Sequence, residues 1–293
     1  MPQNTETVSV VIPARNEAQS LRKLLPELIA ALAPGTEVIV VNDGSTDDTE
    51  SVCLAQGVRV LTHPCAKGNG AAIKTGARAA GGSVIVFMDA DGQHQPKDIT
   101  TLLDKLAQGY DMVVGARQTG SHAGAHRAVA NDAFSKLATW MVQQTVEDLT
   151  SGFRAVRAKY FRQFLYLLPN GFSYPTTITM SFFRAGYGVA YIPIHAPKRT
   201  AGKSHINPMR DGMRFLLIIF KIGTLYSPLK LFLPISLAFF STALGYYLYT
   251  YFTQHRFSNM SVLLFTTAVL VFLIGLISEQ ITMLIYKDSD PDL

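Results

Sequence analysis

Two aspartates separated by one residue follow an apolar, strand-like run in this chain: Asp89 and Asp91 come after Ser83–Met88. Side chains two residues apart on an extended chain point to the same face, and Gln93 continues that pattern. Hard divalent cations such as Mg²⁺ take oxygen ligands of this kind and often share them with phosphate groups. We therefore expect Asp89, Asp91 and Gln93 to bind Mg²⁺ or Mn²⁺ together with a phosphorylated ligand. The alternative is a polar turn after a buried strand.

Three other polar turns carry candidate ligand-binding groups. Pro13 and Glu17 flank a turn after the first apolar run, and ordinary turn chemistry explains both residues at this stage. Asp43 follows the second run and is able to bind a base or ribose, whereas the residues after it are typical helix caps. The segment 67–70, Lys-Gly-Asn-Gly, precedes a helical pattern and offers a cation and backbone amides to phosphate. Neither a dinucleotide-binding glycine fingerprint nor a P-loop is complete in the chain.

Short apolar runs alternate with helical patterns over residues 8–116. The predicted strands are Val8–Ile12, Glu37–Val41, Val58–Leu61, Ser83–Met88 and Met112–Gly115, and the predicted helices are Glu17–Leu32, Asp47–Gln56, Asn69–Ala80 and Pro96–Leu106. This alternation predicts an α/β fold with a mainly parallel sheet flanked by helices. Ligands of such sheets bind at the carboxyl ends of the strands, so the acidic turns at 43 and 89–91 should converge.

The pattern changes after residue 126. Ala130–Val146 is predicted to be a helix, and Phe153–Val156 and Val189–Ile194 to be strands. Asn207–Tyr226 is amphipathic and basic, which is typical of a helix lying in a membrane interface; a buried surface helix is the alternative.

Two long apolar segments follow, at about 231–252 and 262–285. Each is long enough to cross a bilayer, so we expect a transmembrane hairpin. Lysines at 221, 230 and 287 place its open end, and the catalytic domain, on the cytosolic face. For Glu279 we expect a snorkelling side chain rather than a polar partner.

The composition limits the classes of partner. The chain is 48% hydrophobic and 16% charged, with a formal net charge of +5. A basic chain with an apolar tail favours an anionic membrane surface or phosphate ligands, and we expect no nucleic-acid binding. Its two cysteines have no metal-ligand spacing, and its first residues lack a signal-peptide core.

The ordered set of motifs resembles the polyprenyl-phosphate glycosyltransferases of the GT-A, family 2 type, which include dolichyl-phosphate mannose synthase. The segments that carry the resemblance are 10–17, 41–47, 67–72, 88–93, 115–117, 148–154 and 198–204. The resemblance implies a GT-A nucleotide-sugar-binding fold followed by an amphipathic interface helix and a two-helix transmembrane hairpin. The expected units are a cytosolic domain at 1–205, a juxtamembrane segment at 206–228, the hairpin at 229–287 and a cytosolic tail at 288–293.

The resemblance also implies roles for individual residues. The nucleotide-sugar group comprises Pro13, Arg15, Glu17, Asp43, Lys67, Gly70, Asp89, Ala90 and Asp91. The acceptor-phosphate group comprises Arg117, Arg127, Ser151, Arg154, Arg199 and Lys203. Asp89, Asp91, Arg117 and Arg127 are expected to be catalytic. His126 and Arg15 depart from the pattern of many relatives, which carry Arg and Tyr at these positions.

The implied reaction is inverting transfer of a sugar, from a donor of the UDP-glucose or GDP-mannose type, to a polyprenyl phosphate. Such an acceptor is already anionic, so no general base is required. A processive polysaccharide synthase is disfavoured because Gln-X-X-Arg-Trp is absent around Trp140, the only tryptophan. The remaining alternatives are another lipid or polysaccharide acceptor and a non-catalytic membrane scaffold. A protein or small-molecule acceptor is also possible and would need a general base, for which Asp148 is the candidate. A homo-oligomer is compatible with the resemblance.

Overall fold

A central sheet positions the polar turns. The computed structural model describes residues 6–117, 135–136, 138–142, 144–171, 174–194, 220, 223–224 and 226–287. In this part of the chain the strands are β1 (Val8–Ala14), β2 (Glu37–Asn42), β3 (Arg59–Thr62), β4 (Val84–Phe87), β5 (Met112–Arg117), β6 (Arg154–Arg157) and β7 (Val189–Ile194). They form one sheet in the order β3-β2-β1-β4-β6-β5-β7.

The strand pairing is parallel except at β6, which confirms the predicted mainly parallel sheet. β1 pairs with β2 and β4, β2 with β3, and β5 with β7, all in parallel. β6 runs antiparallel between β4 and β5, and its first residue, Arg154, is in register with Phe87, the last residue of β4. This reversal brings the loop before β6 to the edge at which β1, β2, β4 and β5 end.

Helices cover both faces of the sheet. They are α1 (Ala18–Ala31), α2 (Thr49–Ala55), α3 (Asn69–Ala79), α4 (Asp98–Leu106), α5 (Ala158–Gln163) and α6 (Tyr174–Arg184). The sequence did not predict α5 and α6. Every residue from 174 to 183 in α6 is buried, so the helix lacks the polar face on which a 3.6-residue pattern depends. Of the helix predicted at Ala130–Val146, residues 135–136 and 138–142 are helical, whereas 144–146, which are also described, are not.

Alternation along β4 divides the core into two layers. Val84, Val86 and Met88 pack on one side of the sheet, and Ile85 and Phe87 pack on the other. A strand buried on both faces has a continuous apolar sequence, which is why Ser83–Met88 is recognisable without the structure. The rigid strand therefore ends at a defined point, just before the two aspartates.

The last two helices form an antiparallel hairpin, α7 (Pro228–Gln254) and α8 (Asn259–Tyr286). Both are long and apolar enough to cross a membrane, which indicates membrane association. Small side chains at seven-residue spacing are buried between the helices: Ser236, Ala243 and Thr250 on α7, and Ser261, Ala268, Gly275 and Thr282 on α8. Such spacing allows two helices to pack closely along one seam.

The open end of the hairpin is bonded to α6. The Glu279 carboxylate accepts hydrogen bonds from Arg184 Nη2 (3.3 Å), the Leu229 backbone N–H (3.2 Å) and Ser227 Oγ (3.4 Å). Deeper in the domain, Tyr286 Oη lies 3.1 Å from Ser181 Oγ. The expectation that Glu279 snorkels is therefore wrong: its charge is paired inside the protein, with a residue too distant in sequence for a local pattern to reveal.

Candidate functional site

Asp89 and Asp91 lie in a turn beyond the end of β4, and both are half-buried. The backbone is not extended there, and Gly92 has a φ of +72°. The two carboxylates therefore do not converge by pointing to the same face of an extended strand, as the sequence predicted. They share neighbours instead: the charges of Asp89 and Asp91 both act on His94 and on Arg117. The Gln93 backbone N–H donates to Asp91 Oδ1 at 3.1 Å and holds the turn closed.

His94 supports this turn from inside the domain. Its ring stacks on Phe153, with centroids 4.7 Å apart, and its Nδ1 accepts from the Asp89 backbone N–H at 3.4 Å. Burial lowers the pKa of His94, although the nearby Asp89 and Asp91 act in the opposite direction. A neutral ring is consistent with an unprotonated Nδ1 as acceptor. His94 is not among the residues predicted from the sequence, even though it lies three positions after Asp91.

Arg117, the last residue of β5, forms an ion pair near the aspartates with Asp148 of the loop before β6. Arg117 Nε donates to Asp148 Oδ2 at 2.8 Å, and Arg117 Nη2 donates to Asp148 Oδ1 at 3.2 Å. Asp148 also accepts from the backbone N–H groups of Thr150 (2.9 Å) and Ser151 (3.1 Å). Burial by itself would raise the pKa of Asp148, but hydrogen bonds and attraction from Arg117 hold that pKa below its ordinary value.

This pairing has two chemical consequences. Arg117 is permanently charged and oriented, with 39% of its side chain exposed, while only 2% of the Asp148 side chain is exposed. Hydrogen bonds to Asp148 favour its carboxylate form, which makes Asp148 a poor general base. The alternative that required Asp148 as base therefore receives no support from its environment.

Asp43 is enclosed at the end of β2. Its carboxylate accepts from the backbone N–H groups of Lys67 and Gly68, both at 2.8 Å, and lies 2.7 Å from His63 Nδ1. Burial would raise the pKa of Asp43, yet these hydrogen bonds lower it below its ordinary value. His63 Nε2 lies 2.9 Å from Thr75 Oγ1 on α3. Asp43 thus organises the loop before α3, a role that His63 shares and that sequence reasoning missed.

Two amides of the predicted phosphate cradle at 67–70 are bonded within the protein instead. The Lys67 and Gly68 amides are bonded to Asp43, and the Ala71 amide donates to Gly68 O (3.0 Å) and Asn170 O (3.2 Å). A Cβ on Gly70 would lie 2.0 Å from Pro169 O. The loop at 169–171 therefore covers the start of α3, which corrects the assignment of Gly70 to the nucleotide-sugar site. The Lys67 side chain itself remains exposed.

Hydrogen bonds join the turns that follow β1 and β2. Asn16 Oδ1 accepts from the Thr46 backbone N–H at 2.8 Å, and Asp47 Oδ2 accepts from the Ala18 backbone N–H at 3.2 Å. The site residues predicted in these two turns lie at this joined edge: Pro13 and Glu17 are half-buried, Arg15 is exposed and Asp43 is buried. In the β4 turn, Ala90 is buried.

Arg154 is placed in the interior rather than at an acceptor surface. It is 0% exposed, and its guanidinium donates to the carbonyls of Ser151 and Pro175 and to Thr179 Oγ1. The predicted contact of Arg154 with acceptor phosphate is thus corrected to a structural role, tying the loop before β6 to α6. Ser151 is also buried, at 2% exposure, so it does not line an open surface.

Several predicted residues lie outside the described residues. These are His126, Arg127, Arg199, Lys203, the segments 206–219, 221–222 and 225 within the predicted juxtamembrane region (Lys221 included), and the tail at 288–293. Their assignments stay predictions.

The residues at the β4 turn fit a divalent cation that is shared with a phosphorylated ligand. Among the residues that the structure describes, no group of three His, Cys, Asp or Glu side chains forms an all-protein metal site. Two carboxylates instead leave coordination positions for phosphate oxygens and water, as Mg²⁺ sites commonly do. A Cβ on Gly152 would lie 3.0 and 3.2 Å from the two Asp89 carboxylate oxygens. The glycine therefore keeps space open beside this carboxylate.

A mainly parallel sheet with an acidic turn at the end of its central strand, opposite a paired arginine, defines a GT-A glycosyltransferase domain. The chain belongs to glycosyl transferase family 2, whose family model matches residues 9–165. A second model, described as the GtrB C-terminal hairpin, matches residues 227–284.

Comparisons with individual proteins agree with this membership. The chain is 29% identical over 209 residues to the dolichyl-phosphate hexose transferase of Haloferax volcanii, covering 71% of this chain and 90% of the relative. It is 29% identical over 218 residues to the polyprenol monophosphomannose synthase of Mycolicibacterium smegmatis, covering 69% and 82%. The fold is similar to that of glucosyl-3-phosphoglycerate synthase from Mycobacterium tuberculosis, crystallised with Mn²⁺ and UDP, at a TM-score of 0.59, 21% identity and coverage of 74% and 80%.

Proposed function

We propose that this protein transfers a sugar from a nucleotide sugar to a polyprenyl phosphate held in a membrane, with inversion at the anomeric carbon. The names of its relatives support this acceptor class. The observation that carries the proposal is that α6 connects the acidic site to the apolar hairpin. Tyr174 Oη donates to Gly152 O (3.3 Å) at one end of α6, and Arg184 bonds to Glu279 at the other. An 11-residue helix is about 16 Å long, so the site lies near the expected membrane surface.

The reaction needs charge stabilisation and positioning more than proton transfer. The bond from the anomeric carbon to the donor diphosphate oxygen breaks, and the nucleoside diphosphate leaves with the electron pair. A new bond forms from the anomeric carbon to a phosphate oxygen of the lipid. That oxygen is already ionised, so no side chain has to remove a proton, in agreement with an Asp148 that is held as a carboxylate by Arg117.

Each described residue has a defined part in this proposal. Asp89 and Asp91, with Gln93 as a further oxygen donor, would hold a divalent cation, which supplies Lewis-acid stabilisation of the leaving diphosphate when bound. Arg117 adds a fixed positive charge beside them, oriented by Asp148. Positioned charges of this kind lower the barrier without reorganising during the reaction. Arg127, Arg199 and Lys203 remain proposed contacts for the acceptor phosphate.

We also propose that the catalytic domain lies on the cytosolic face. Lys230 and Lys287 flank the open end of the hairpin, where the positive-inside rule places cytosolic residues. The donor belongs to the UDP-glucose or GDP-mannose type. A thermal-shift panel of nucleotide sugars with Mg²⁺ or Mn²⁺ would identify the donor, because a ligand that binds only the folded state raises the melting temperature.

The central test compares Asp91→Asn with Asp104→Asn. Asp104 is exposed on α4, so it controls for the loss of a carboxylate outside the site. In vesicles with polyprenyl phosphate and radiolabelled donor, Asp91→Asn should reduce turnover by about 100-fold or more, because a metal ligand stabilises transition-state charge by several kcal/mol. Asp104→Asn should retain turnover within about twofold. Near-normal activity of a folded Asp91→Asn protein would refute the role of this residue.

A further inference from the structure

Trp140 is the only tryptophan of the chain, and it is 53% exposed. It lies in the helical segment 138–142. Its neighbours Ala138, Met141 and Val142 are buried in a cluster with Met180 and Phe183 of α6. The segment is therefore fixed on the domain, while the large indole of Trp140 extends away from the core.

Polar contacts fix this segment beside the open end of the hairpin. Lys230 Nζ, at the third residue of α7, donates to Met141 O at 2.9 Å. The same ammonium lies 5.8 Å from the centroid of the Tyr226 ring, and Arg184 Cζ lies 6.0 Å from that centroid. Trp140 is thus adjacent to Lys230, to Tyr226 and to the Arg184–Glu279 ion pair at the start of the hairpin.

This cluster lies where the charged part of the hairpin ends. Beyond Lys230, α7 carries no Asp, Glu, Lys or Arg up to its end at Gln254, and α8 carries none from Asn259 to Ser278. Glu279 accepts a hydrogen bond from the Leu229 backbone N–H. Lys230 and Glu279, which border the uncharged stretches of the two helices, therefore lie at about the same height along the hairpin. That level marks the expected boundary between the hydrocarbon core and the headgroups.

An exposed indole at this level has a defined physical preference. Tryptophan is enriched at membrane interfaces because its ring is apolar while its N–H retains a polar partner. The Lys230 ammonium beside it favours anionic headgroups. We propose that Trp140 anchors the catalytic domain to the bilayer, with its indole in the headgroup region next to Lys230. This inference rests on the proposed membrane insertion of α7 and α8.

The native single tryptophan allows a direct test on the full-length protein. The protein is reconstituted into vesicles of phosphatidylcholine and phosphatidylglycerol, with bromine either near the headgroups or deep in the acyl chains. The control is a double variant that combines Trp140→Phe with Leu54→Trp and so moves the single tryptophan to α2. Leu54 is 59% exposed, and the main contacts of α2 are with α1, β2 and β3.

We expect shallow bromines to quench Trp140 emission by about half or more, and more strongly than deep bromines, since interfacial tryptophans lie at headgroup level. The tryptophan introduced in place of Leu54 should emit as in water and should not be quenched. If flotation shows inserted protein but Trp140 is as unquenched as the control, or is quenched most by deep bromines, the interfacial anchor is refuted while the proposed function stands. Failure of the wild-type protein to insert would overturn the membrane assignment itself.

Discussion

Replacing Asp148 by Asn should weaken the fold measurably, because this carboxylate is heavily hydrogen-bonded and buried near the site. It accepts from Arg117 Nε at 2.8 Å, from the Thr150 N–H at 2.9 Å and from the Ser151 N–H at 3.1 Å. Asparagine preserves the shape of the side chain. However, it removes the negative charge and turns one acceptor into a donor that faces other donors.

The expected loss follows from the burial of the pair. Breaking a fully buried ion pair costs about 3–5 kcal/mol. Here Asp148 is 2% exposed but Arg117 is 39% exposed, so water partly solvates the unpaired guanidinium and reduces the cost to roughly 2–4 kcal/mol. At about 2–4 °C per kcal/mol for a domain of this size, the melting temperature should fall by roughly 5–15 °C.

The assay is thermal unfolding of the detergent-solubilised protein at several pH values, with Glu147→Gln as the control. Glu147 is exposed beside Asp148, and its substitution should change stability by less than about 0.5 kcal/mol. The pKa of Asp148 lies below its ordinary value of 3.8 in the folded protein. The free energy of unfolding that ionised Asp148 contributes is therefore fully present at pH values above its ordinary pKa, and it is lost as the pH falls through the lower pKa of the folded state.

The wild type should consequently be more stable than Asp148→Asn by a constant amount at neutral pH, and the difference should shrink below about pH 4. An Asp148→Asn protein that melts with the wild type at pH 7 would refute the reasoning. So would a difference between the two that grows with acidification.

Two further perturbations test the surroundings of the site. Gly152→Ala would place a Cβ 3.0 Å from an Asp89 carboxylate oxygen and displace that carboxylate. We expect metal-dependent donor binding to weaken by about tenfold, which corresponds to a loss of roughly 1.4 kcal/mol of binding free energy. Isothermal titration calorimetry with Mn²⁺ and donor measures this change. Gly171→Ala, which meets no atom within 4 Å, should bind normally, and equal losses in both variants would contradict the proposed geometry. For Arg184 and Glu279, a double-mutant cycle with Arg184→Gln and Glu279→Gln should give a coupling of about 1–2 kcal/mol in thermal unfolding, because the two groups form a partly buried ion pair. Additive effects would show that the pair does not join the domain to the hairpin.

Much of the fold was predictable because its determinants are local. The apolar run ending at Met88 predicted a buried strand, and the acidic turn followed it at the expected place. The hairpin was predictable for the same reason, since apolar segments of about 20 residues or more are typical of membrane-spanning helices. By contrast, α6 was missed because its burial on all sides removes the amphipathic pattern.

The roles of individual polar residues were less predictable, because the sequence shows donors and acceptors without showing which of them are already paired. The amides of residues 67 and 68 resembled a phosphate cradle, but Asp43, more than 20 residues earlier, occupies them. Arg154 resembled an exposed anion contact, but the antiparallel β6 and the buried α6 enclose it.

The sequence by itself determined the alternation of β1–β5 with α1–α4, the acidic turn at 89–91 and the apolar hairpin, since each depends on the spacing of nearby residues. Only the tertiary structure decided that Arg117 is oriented by Asp148, that Gly152 leaves space beside Asp89, and that Arg184 joins Glu279 across 95 positions. These contacts depend on strand order and helix packing, through which residues far apart in the chain compete for the same hydrogen bonds.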